Sequence, residues 1–169
     1  MDYRLPTLGD KAELDELLRE FSESGENDAL LCQDLFTEDY PAWVELIAKN
    51  ATLGSADWGR SQVLLCREDG HIAGILCIRH ELPDDLEAIY GTIGYSVRPS
   101  RRRRGYATKM LRHALGVCKG FGLESATLGC FKDNLASIGV IRNCGGILVA
   151  ENENYVAGRR SLYFKIPLA

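Results

Sequence analysis

The segment from Val97 to Ala107 joins an apolar strand to an amphipathic helix through a short turn that holds four consecutive arginines and a glycine. The first N–H groups of a helix have no partner within the helix, and the helix dipole is positive at the same end. An arginine-flanked turn at this position favours binding of an anion such as a pyrophosphate. We therefore predict a site for a phosphorylated ligand at this junction.

Single positions within the turn suit the same ligand. Gly105 lets the backbone approach a phosphate closely, and Ala107 keeps the helix entry small. Arg102, Arg103 and Arg104 supply guanidinium charge and N–H donors in the same place. The turn is therefore predicted to contact the ligand through both backbone and side chains.

The arginine run has two other interpretations. Arg101 to Arg104 could be a solvated basic stretch, or a nuclear-import or nucleic-acid patch. The chain as a whole carries a formal net charge of −4, which opposes attraction of the whole surface to nucleic acid. No aromatic stacking platform accompanies the run beyond Tyr106. The ligand site is therefore favoured, and no nucleic-acid partner is expected.

Length and composition indicate an ordinary globular protein. With 169 residues, 46% hydrophobic and 26% charged, the chain is predicted to form a single domain over residues 1–169. Its six cysteines are scattered singly without histidines at ligand spacing, so neither a metal site nor a disulfide framework is predicted. No run approaches the roughly 20 apolar residues of a membrane span. A cytoplasmic protein without a membrane partner is expected.

Hydrophobic periodicity predicts a mixed α/β fold. Asp10 and Glu13 are spaced as a reciprocal capping pair for the first helix, and Glu68-Asp69-Gly70 predicts the turn of a hairpin. The predicted helices run from Asp10 to before Ser24, from Pro41 onward, from Ala107 to Phe121 and from Asn134 to Cys144. The predicted strands are Gln62–Cys66, Ile72–Ile78, Thr92–Val97, Ser125–Cys130, Ile147–Glu151 and Arg160–Ile166.

The order of motifs resembles one known family. A strand ending Val97-Arg98-Pro99, then Arg102-x-x-Gly105-x-Ala107 opening a long helix, then a strand, Asn134-x-x-Ser137 and Gly145-Gly146 is similar to the GNAT superfamily of N-acetyltransferases. The stretch from Gly94 to Ser100 also resembles a branch of bacterial acetyltransferases. The resemblance implies a mixed sheet, mostly antiparallel, of six to seven strands flanked by helices.

The same resemblance implies how a cofactor would be held. The expected ligand is acetyl-CoA, as acyl donor, with no metal. Its pantetheine arm would lie along Tyr95, Ser96 and Val97, and the N–H of Val97 would polarise the thioester carbonyl and hold the oxyanion. Asn134 is expected to contact the arm, although it would serve equally as a helix N-cap. The remaining implied contacts are Arg102, Arg103, Arg104, Gly105, Tyr106, Ala107, Thr108 and Ser137.

The catalytic groups are less well defined by the resemblance. Many family members supply the acid from a tyrosine four residues after the position of Ser137, where this chain has Ile141. Two candidate bases are His80, which titrates near neutrality when unperturbed, and Glu87, with an ordinary solvent-facing role as the alternative for each. Other candidate proton donors are Tyr95, Tyr155, Tyr163 and Cys144, although structural packing is the favoured explanation for each of them.

The expected function is transfer of an acetyl group from acetyl-CoA to a primary amine of a small molecule or peptide, by direct transfer. A non-catalytic acyl-CoA-binding or regulatory module on the same fold is the alternative that Ile141 leaves open. Both a monomer and a homodimer are compatible with the sequence. Acidic residues of the segment between the first two helices would suit a cationic acceptor; they are Glu23, Glu26, Asp28, Asp34, Glu38 and Asp39.

Overall fold

The computed structural model describes residues 1–27, 30–36, 39–56, 59–83, 87, 90–156 and 159–168. Within these ranges the helices are α1 (Lys11–Glu23), α2 (Tyr40–Thr52), α3 (Tyr106–Gly120) and α4 (Leu135–Asn143). The strands are β1 (Asp2–Arg4), β2 (Ser61–Glu68), β3 (His71–Arg79), β4 (Ile93–Val97), β5 (Ser125–Phe131), β6 (Ile147–Val156) and β7 (Arg159–Pro167).

The strands form two sheets, ordered β1-β2-β3-β4 and β5-β7-β6, and every paired neighbour is antiparallel. The predicted mixed α/β architecture with a mostly antiparallel sheet is confirmed. The division into two sheets is new, because periodicity within one strand carries no information about which neighbour it pairs with. Strand β1 was not predicted, since its three residues are too few to show a period.

Helices cover both faces of the first sheet. Leu14 of α1 and Trp43 of α2 pack with alternate β2 residues such as Val63 on one face. Leu64 of β2 and Met110 of α3 belong to a second core on the other face, which continues into β5 and β7. Because β2 and β3 are buried on both sides, they have continuous apolar runs where a half-exposed strand would alternate. The predicted hairpin joins them, with Asp69 and Gly70 both at positive φ.

The N-terminal cap of α1 differs from the predicted pair. Asp10 does not pair with Glu13; its carboxylate accepts hydrogen bonds from the Thr7 N–H at 2.8 Å and from the Thr7 hydroxyl at 2.7 Å. The carboxylate of Glu13 instead accepts the N–H of Ile72 in β3. The predicted pair was wrong because Thr7 and Asp10 have the same three-residue spacing as Asp10 and Glu13, so the spacing allowed either pair. The contact of Glu13 with Ile72, which is distant in sequence, decided between them.

Strands β4 and β5 touch at one end and have no ladder between them in the described part of the chain. At that end the Thr92 N–H donates to Thr127 Oγ1 at 3.0 Å, and the Thr127 N–H donates to Thr92 Oγ1 at 2.7 Å. Side-chain oxygens thus replace the carbonyls that a strand pair would use. Past this clasp of Thr92 and Thr127 the edge of β4 is left unpaired.

Candidate active site

A cavity of about 470 Å³ opens between the C-terminal half of β4, the arginine turn and the first turns of α4. All the residues predicted to bind the cofactor line it except Arg104. The structure therefore brings together segments that are up to about forty residues apart in sequence. The predicted residues in the wall are Tyr95, Ser96, Val97, Arg102, Arg103, Gly105, Tyr106, Ala107, Thr108, Asn134 and Ser137.

The unpaired edge of β4 presents hydrogen-bonding groups to this cavity. The Arg79 N–H donates to Thr92 O at 2.8 Å and the Arg98 N–H donates to Ala73 O at 2.9 Å. The backbone N–H and C=O groups of the even-numbered β4 residues therefore point toward β3. Backbone groups alternate sides along a strand. The N–H groups of Tyr95 and Val97 therefore point away from β3, into the gap.

The turn before α3 has the backbone shape of an anion cradle. Arg103 has φ +63° and Gly105 has φ +76°, a left-handed conformation that glycine adopts without strain. The first hydrogen bond of α3 runs from the Lys109 N–H to Gly105 O at 3.1 Å. The preceding N–H groups, those of Tyr106, Ala107 and Thr108, lie at the open end of the helix on the cavity wall. This arrangement fits the pyrophosphate of coenzyme A.

The arginines of this region have different roles. Arg102 lies at the cavity beside Glu26, with Nη1 and Oε2 2.8 Å apart, and this hydrogen-bonded pairing lowers the pKa of Glu26. Arg103 lines the cavity, whereas Arg104 is exposed and lies outside its wall. Arg98 is turned the other way and is buried against the carboxylates of Glu13, Glu16 and Glu20 on α1. The prediction for Arg104 is thus not supported by its position.

Asn134 begins α4, where its Oδ1 accepts the Ser137 N–H at 3.0 Å. The N-cap interpretation of Asn134 is therefore confirmed. Its place in the cavity wall leaves a contact with the ligand as a compatible prediction. One turn after Ser137, Ile141 is 1% exposed and packs against Gly146. The position at which the resemblance implies a tyrosine is thus part of the core in this chain.

A hydroxyl pair lies on the cavity wall near that position. Tyr95 Oη and Ser137 Oγ are 3.0 Å apart, and both residues line the cavity. Burial raises the pKa of Tyr95 to about 12, the hydrogen bond with Ser137 opposes this shift, and the thiols of Cys130 and Cys144 add to it. Sequence reasoning had named both residues separately, but no spacing rule relates two side chains 42 positions apart.

Ser96 contributes to the cavity differently from Tyr95. Its Oγ accepts the N–H of Leu31 at 2.6 Å on the opposite side of β4, as alternation along a strand requires. This bond ties the segment after α1 to the sheet. Because the backbone groups of Ser96 face β3 as well, the structure does not support a hydrogen bond from Ser96 to the arm.

His80 is not in the cavity. Its ring lies 4.1 Å from the ring of Phe121, which follows the C-terminal end of α3, whereas the arginine turn is at the N-terminal end. Fifteen helical residues separate the two ends, about 22 Å at 1.5 Å per residue. Burial and the nearby Arg60 lower the pKa of His80. The structure therefore does not support the expectation that His80 is a base. The position of His80 in the sequence did not show at which end of the sheet it would lie.

Glu87 lies at the clasp. It accepts the Thr127 hydroxyl at 2.9 Å, and the clasp precedes Val97 by five strand residues, about 16 Å at 3.3 Å each. Glu87 is not part of the cavity wall.

Besides Tyr95, the candidate proton donors among the described residues do not line the cavity. Tyr163, whose pKa is raised by burial, lies in the same region as Glu87, and the side chain of Tyr155 is outside the described residues. Cys144 remains near Tyr95 without lining the cavity.

The acidic segment predicted to hold an acceptor does not form one cluster among the described residues. Glu26 reaches the cavity, whereas Asp34 accepts the indole N–H of Trp43 at 3.0 Å and Asp39 caps α2. Glu23 is exposed on α1. Asp28 and Glu38 lie outside the described residues. Helix capping and a core contact, which spacing alone did not reveal, account for Asp39 and Asp34.

The described residues contain neither a membrane-spanning helix nor a cluster of metal ligands. No described helix is both long enough and apolar enough to cross a membrane. Within the same ranges, His, Cys, Asp and Glu side chains form no group of three or more that could hold a metal ion.

Comparison with known proteins agrees with this geometry. The family model described as Acetyltransferase (GNAT) family matches residues 29–146. No match was found among curated protein sequences. Among solved structures, the microcin C7 self-immunity acetyltransferase MccE, in complex with acetyl-CoA and AMP, is similar with a TM-score of 0.76 and 15% identity, covering 98% of this chain and 91% of that chain.

Two other solved structures share the fold. One is the ribosomal L7/L12 alpha-N-protein acetyltransferase RimL in complex with coenzyme A, with a TM-score of 0.72, 16% identity and coverage of 98% of this chain and 92% of that chain. The other is a chimera of the spermidine N-acetyltransferase SpeG from Vibrio cholerae and hSSAT, with a TM-score of 0.69, 14% identity and coverage of 99% and 96%. The chain therefore belongs to the GNAT family of acetyltransferases, enzymes whose acyl donor is acetyl-CoA.

Proposed function

We propose that this protein transfers the acetyl group of acetyl-CoA directly to a primary amine of a small molecule or peptide. The observation that carries the proposal is the unpaired edge of β4, whose N–H groups at Tyr95 and Val97 point into a cavity that ends at the N-terminus of α3. Few arrangements place strand donors and a helix N-terminus in one continuous groove. A long ligand with amide groups at one end and a pyrophosphate at the other matches this groove.

Each part of the groove would have a separate task. The N–H groups of Tyr106, Ala107 and Thr108 and the guanidinium of Arg103 would hold the pyrophosphate. Arg102 would join them once released from Glu26. The N–H groups of Val97 and Tyr95, about 7 Å apart along the strand, would hold the arm. When bound, acetyl-CoA supplies an activated acyl group as a thioester.

The Val97 N–H was expected to polarise the thioester carbonyl, and its direction into the gap suits a hydrogen bond to the ligand. The Tyr95 N–H has the same direction and lies deeper, further from the phosphate end of the groove. We propose that the Val97 N–H binds the amide of the arm and that the Tyr95 N–H takes over the role at the reacting carbonyl. Fixed backbone donors stabilise a developing oxyanion without reorganisation at the moment of reaction.

A primary amine is the acceptor class favoured by two structural relatives. RimL is named as an alpha-N-protein acetyltransferase and SpeG as a spermidine N-acetyltransferase, so this fold accepts both peptide and small-molecule amines. Glu26, the acidic residue that reaches the cavity, is paired with Arg102 at the phosphate end and is not available to bind a cationic acceptor there.

The test is release of free thiol from acetyl-CoA with a panel of polyamines, amino-terminal peptides and aminoglycosides, together with calorimetric titration of acetyl-CoA. Gly105→Asp should abolish binding, because the new carboxylate lies at the phosphate position. Gly105→Asn is the matched control, since asparagine also tolerates positive φ and adds no charge; it should weaken binding much less. Equal affinity in Gly105→Asp and the unmodified protein would overturn the proposed site.

A further inference from the structure

The family resemblance implies a tyrosine four residues after Ser137, where this chain has Ile141, and the structure shows that the side chain at that position does not face the cavity. Ile141 is 1% exposed and is not part of the cavity wall. A Cβ built on Gly146 would lie 2.3 Å from Ile141 Cγ2, so the two residues are in tight contact. A side chain at position 141 is committed to the core and does not face the thioester.

A phenol nevertheless reaches the same helix from the opposite wall. Tyr95 projects from β4, and its Oη lies 3.0 Å from Ser137 Oγ in the first turn of α4. Ser137 lines the cavity, whereas Ile141, one turn later, does not. The Tyr95 phenol therefore lies on the cavity wall, at a place that the side chain of position 141 does not reach.

We propose that Tyr95 is the general acid that protonates the departing sulfur, and that Ser137 positions its hydroxyl and relays the replacement proton. The proposal rests on the acetyl transfer proposed above. It assigns to one residue both a backbone N–H at the groove and the phenol next to it. Ser137 is itself held in place, because its N–H donates to Asn134 Oδ1.

The proton balance is simple. When the bond between the acetyl carbon and sulfur breaks, its electron pair stays on sulfur and Tyr95 Oη donates its proton there. Ser137 Oγ then donates its proton to Tyr95 Oη and takes one from water. The acceptor nitrogen, which has formed the new bond to the acetyl carbon, gives up one proton to that water. Both side chains return to their starting state, and the leaving group departs as a neutral thiol.

The surroundings keep the phenol protonated until it is used. The titratable groups that face it are the thiols of Cys130 and Cys144, and burial raises the pKa of Cys130 to about 11. The Cys130 thiol is therefore uncharged at neutral pH. Tyr95, whose pKa burial raises to about 12, is likewise protonated at neutral pH, the state that a proton donor requires.

The first experiment measures hydrogen bonding to sulfur and needs no turnover. Coenzyme A labelled with carbon-13 at the methylene next to sulfur is bound to the protein, and its thiol is titrated by NMR. A donor to the thiolate lowers the pKa of the bound thiol, so Tyr95→Phe should raise that pKa by about one unit relative to the unmodified protein. Identical titrations would overturn the proposal, and they would do so even if no amine proved to be a substrate.

The second experiment measures turnover with an acceptor found in the panel. Tyr95→Phe should lower kcat about 100-fold, as expected for loss of a general acid, with the Kd for coenzyme A unchanged within about twofold. Ser137→Ala should lower kcat about tenfold, and Ser137→Thr should restore most of it by retaining a hydroxyl.

Tyr3→Phe is the control, because Tyr3 stacks on His113 away from the cavity, and its kcat should equal that of the unmodified protein. A kcat of Tyr95→Phe within twofold of that protein would overturn the role of Tyr95 as acid. Failure of the proposed function is recognised separately, as absence of thiol release with every amine while the bound thiol still titrates differently in Tyr95→Phe.

Discussion

Arg102 and Glu26 form an ion pair at the cavity, with Nη1 and Oε2 2.8 Å apart, so an arginine suited to a phosphate is held by a carboxylate from the segment after α1. The guanidinium also lies over the ring of Phe21 and donates through Nε to Val97 O at 3.3 Å. Three contacts thus place Arg102 next to the groove before any ligand arrives. Binding of a pyrophosphate would compete directly with Glu26.

This competition predicts the effect of Glu26→Gln. Removing the carboxylate frees Arg102 and removes a negative charge near the phosphates, so the Kd for coenzyme A should fall two- to fivefold, the range of a partly exposed ion pair. Calorimetric titration measures the change. Glu23→Gln, which alters an exposed residue of the same region outside the cavity, should leave the Kd unchanged. Weaker binding by Glu26→Gln would show that Glu26 serves mainly to orient Arg102.

Neighbouring arginines of the turn should differ in importance. Arg103 lines the cavity and Arg104 does not, although both are exposed and adjacent in sequence. We expect Arg103→Gln to weaken binding of coenzyme A about fivefold, and Arg104→Gln to change it less than twofold, because an exposed charge outside the cavity is screened by salt. Titrations of both variants at one ionic strength measure the difference. Equal losses would mean that the turn acts only through its total charge.

The clasp between Thr92 and Thr127 should be a stability element. Thr127 is 5% exposed, and its Oγ1 accepts the Thr92 N–H at 3.0 Å. Thr127→Val keeps the shape but leaves that buried N–H without an acceptor, at a cost of about 1–3 kcal/mol in the free energy of unfolding. Chemical denaturation measures this cost. Thr127→Ser keeps the hydroxyl and should lose about 1 kcal/mol or less; if it lost as much as valine, the hydrogen bond would not be the cause.

Asp10 should make stability depend on acid pH. The carboxylate is 4% exposed, and hydrogen bonds from Arg4 and then Thr7 hold its pKa well below the usual range. Because the pKa in the folded protein lies below the unfolded value of about 3.9, the stabilisation is present above about pH 4 and is lost as pH falls further. Unfolding measured between pH 7 and pH 3 should show this decline.

Asp10→Asn should be about 2–3 kcal/mol less stable at pH 7, because it leaves the paired arginines without their carboxylate. Its stability should also decline less between pH 5 and pH 3. Asp15→Asn is the matched control, since Asp15 forms only an exposed pair with Lys11; its cost should stay below about 0.5 kcal/mol. A loss of stability on acidification equal in both variants would assign the pH dependence to other carboxylates.

Local chemistry accounts for what was predictable. The apolar period of residues such as Leu14 and Leu17 suffices to define α1, and the positive φ of Gly70 and Gly105 follows from the turns in which they lie. The anion cradle before α3 was predictable for the same reason, since strand, turn and helix N-terminus follow one another within eleven residues. Interactions of this kind join residues that are close together in the sequence, and they do not depend on the rest of the fold.

Contacts between distant elements were not predictable. Asp10 and Glu13 do not pair with each other, because Arg67 of β2 donates to Asp10 and the N–H of Ile72 in β3 donates to Glu13. His80 was assigned to the site because it ends a central strand, yet that end of β3 lies beside Phe121. Pairing partners and strand ends depend on the whole sheet, whose arrangement no single segment encodes.

By itself the sequence determined the longer helices and strands, the turn predicted to bind phosphate, and the family, because each depends on neighbouring residues and their spacing. Only the tertiary structure decided that β4 leaves β5 after the clasp of Thr92 and Thr127, that Tyr95 and Val97 turn their N–H groups into the resulting groove, and that Tyr95 meets Ser137. These relationships require packing of both sheets against α3 and α4. The side chains that would carry the chemistry are therefore defined by contacts across the fold, whereas the ligand is defined by a single turn.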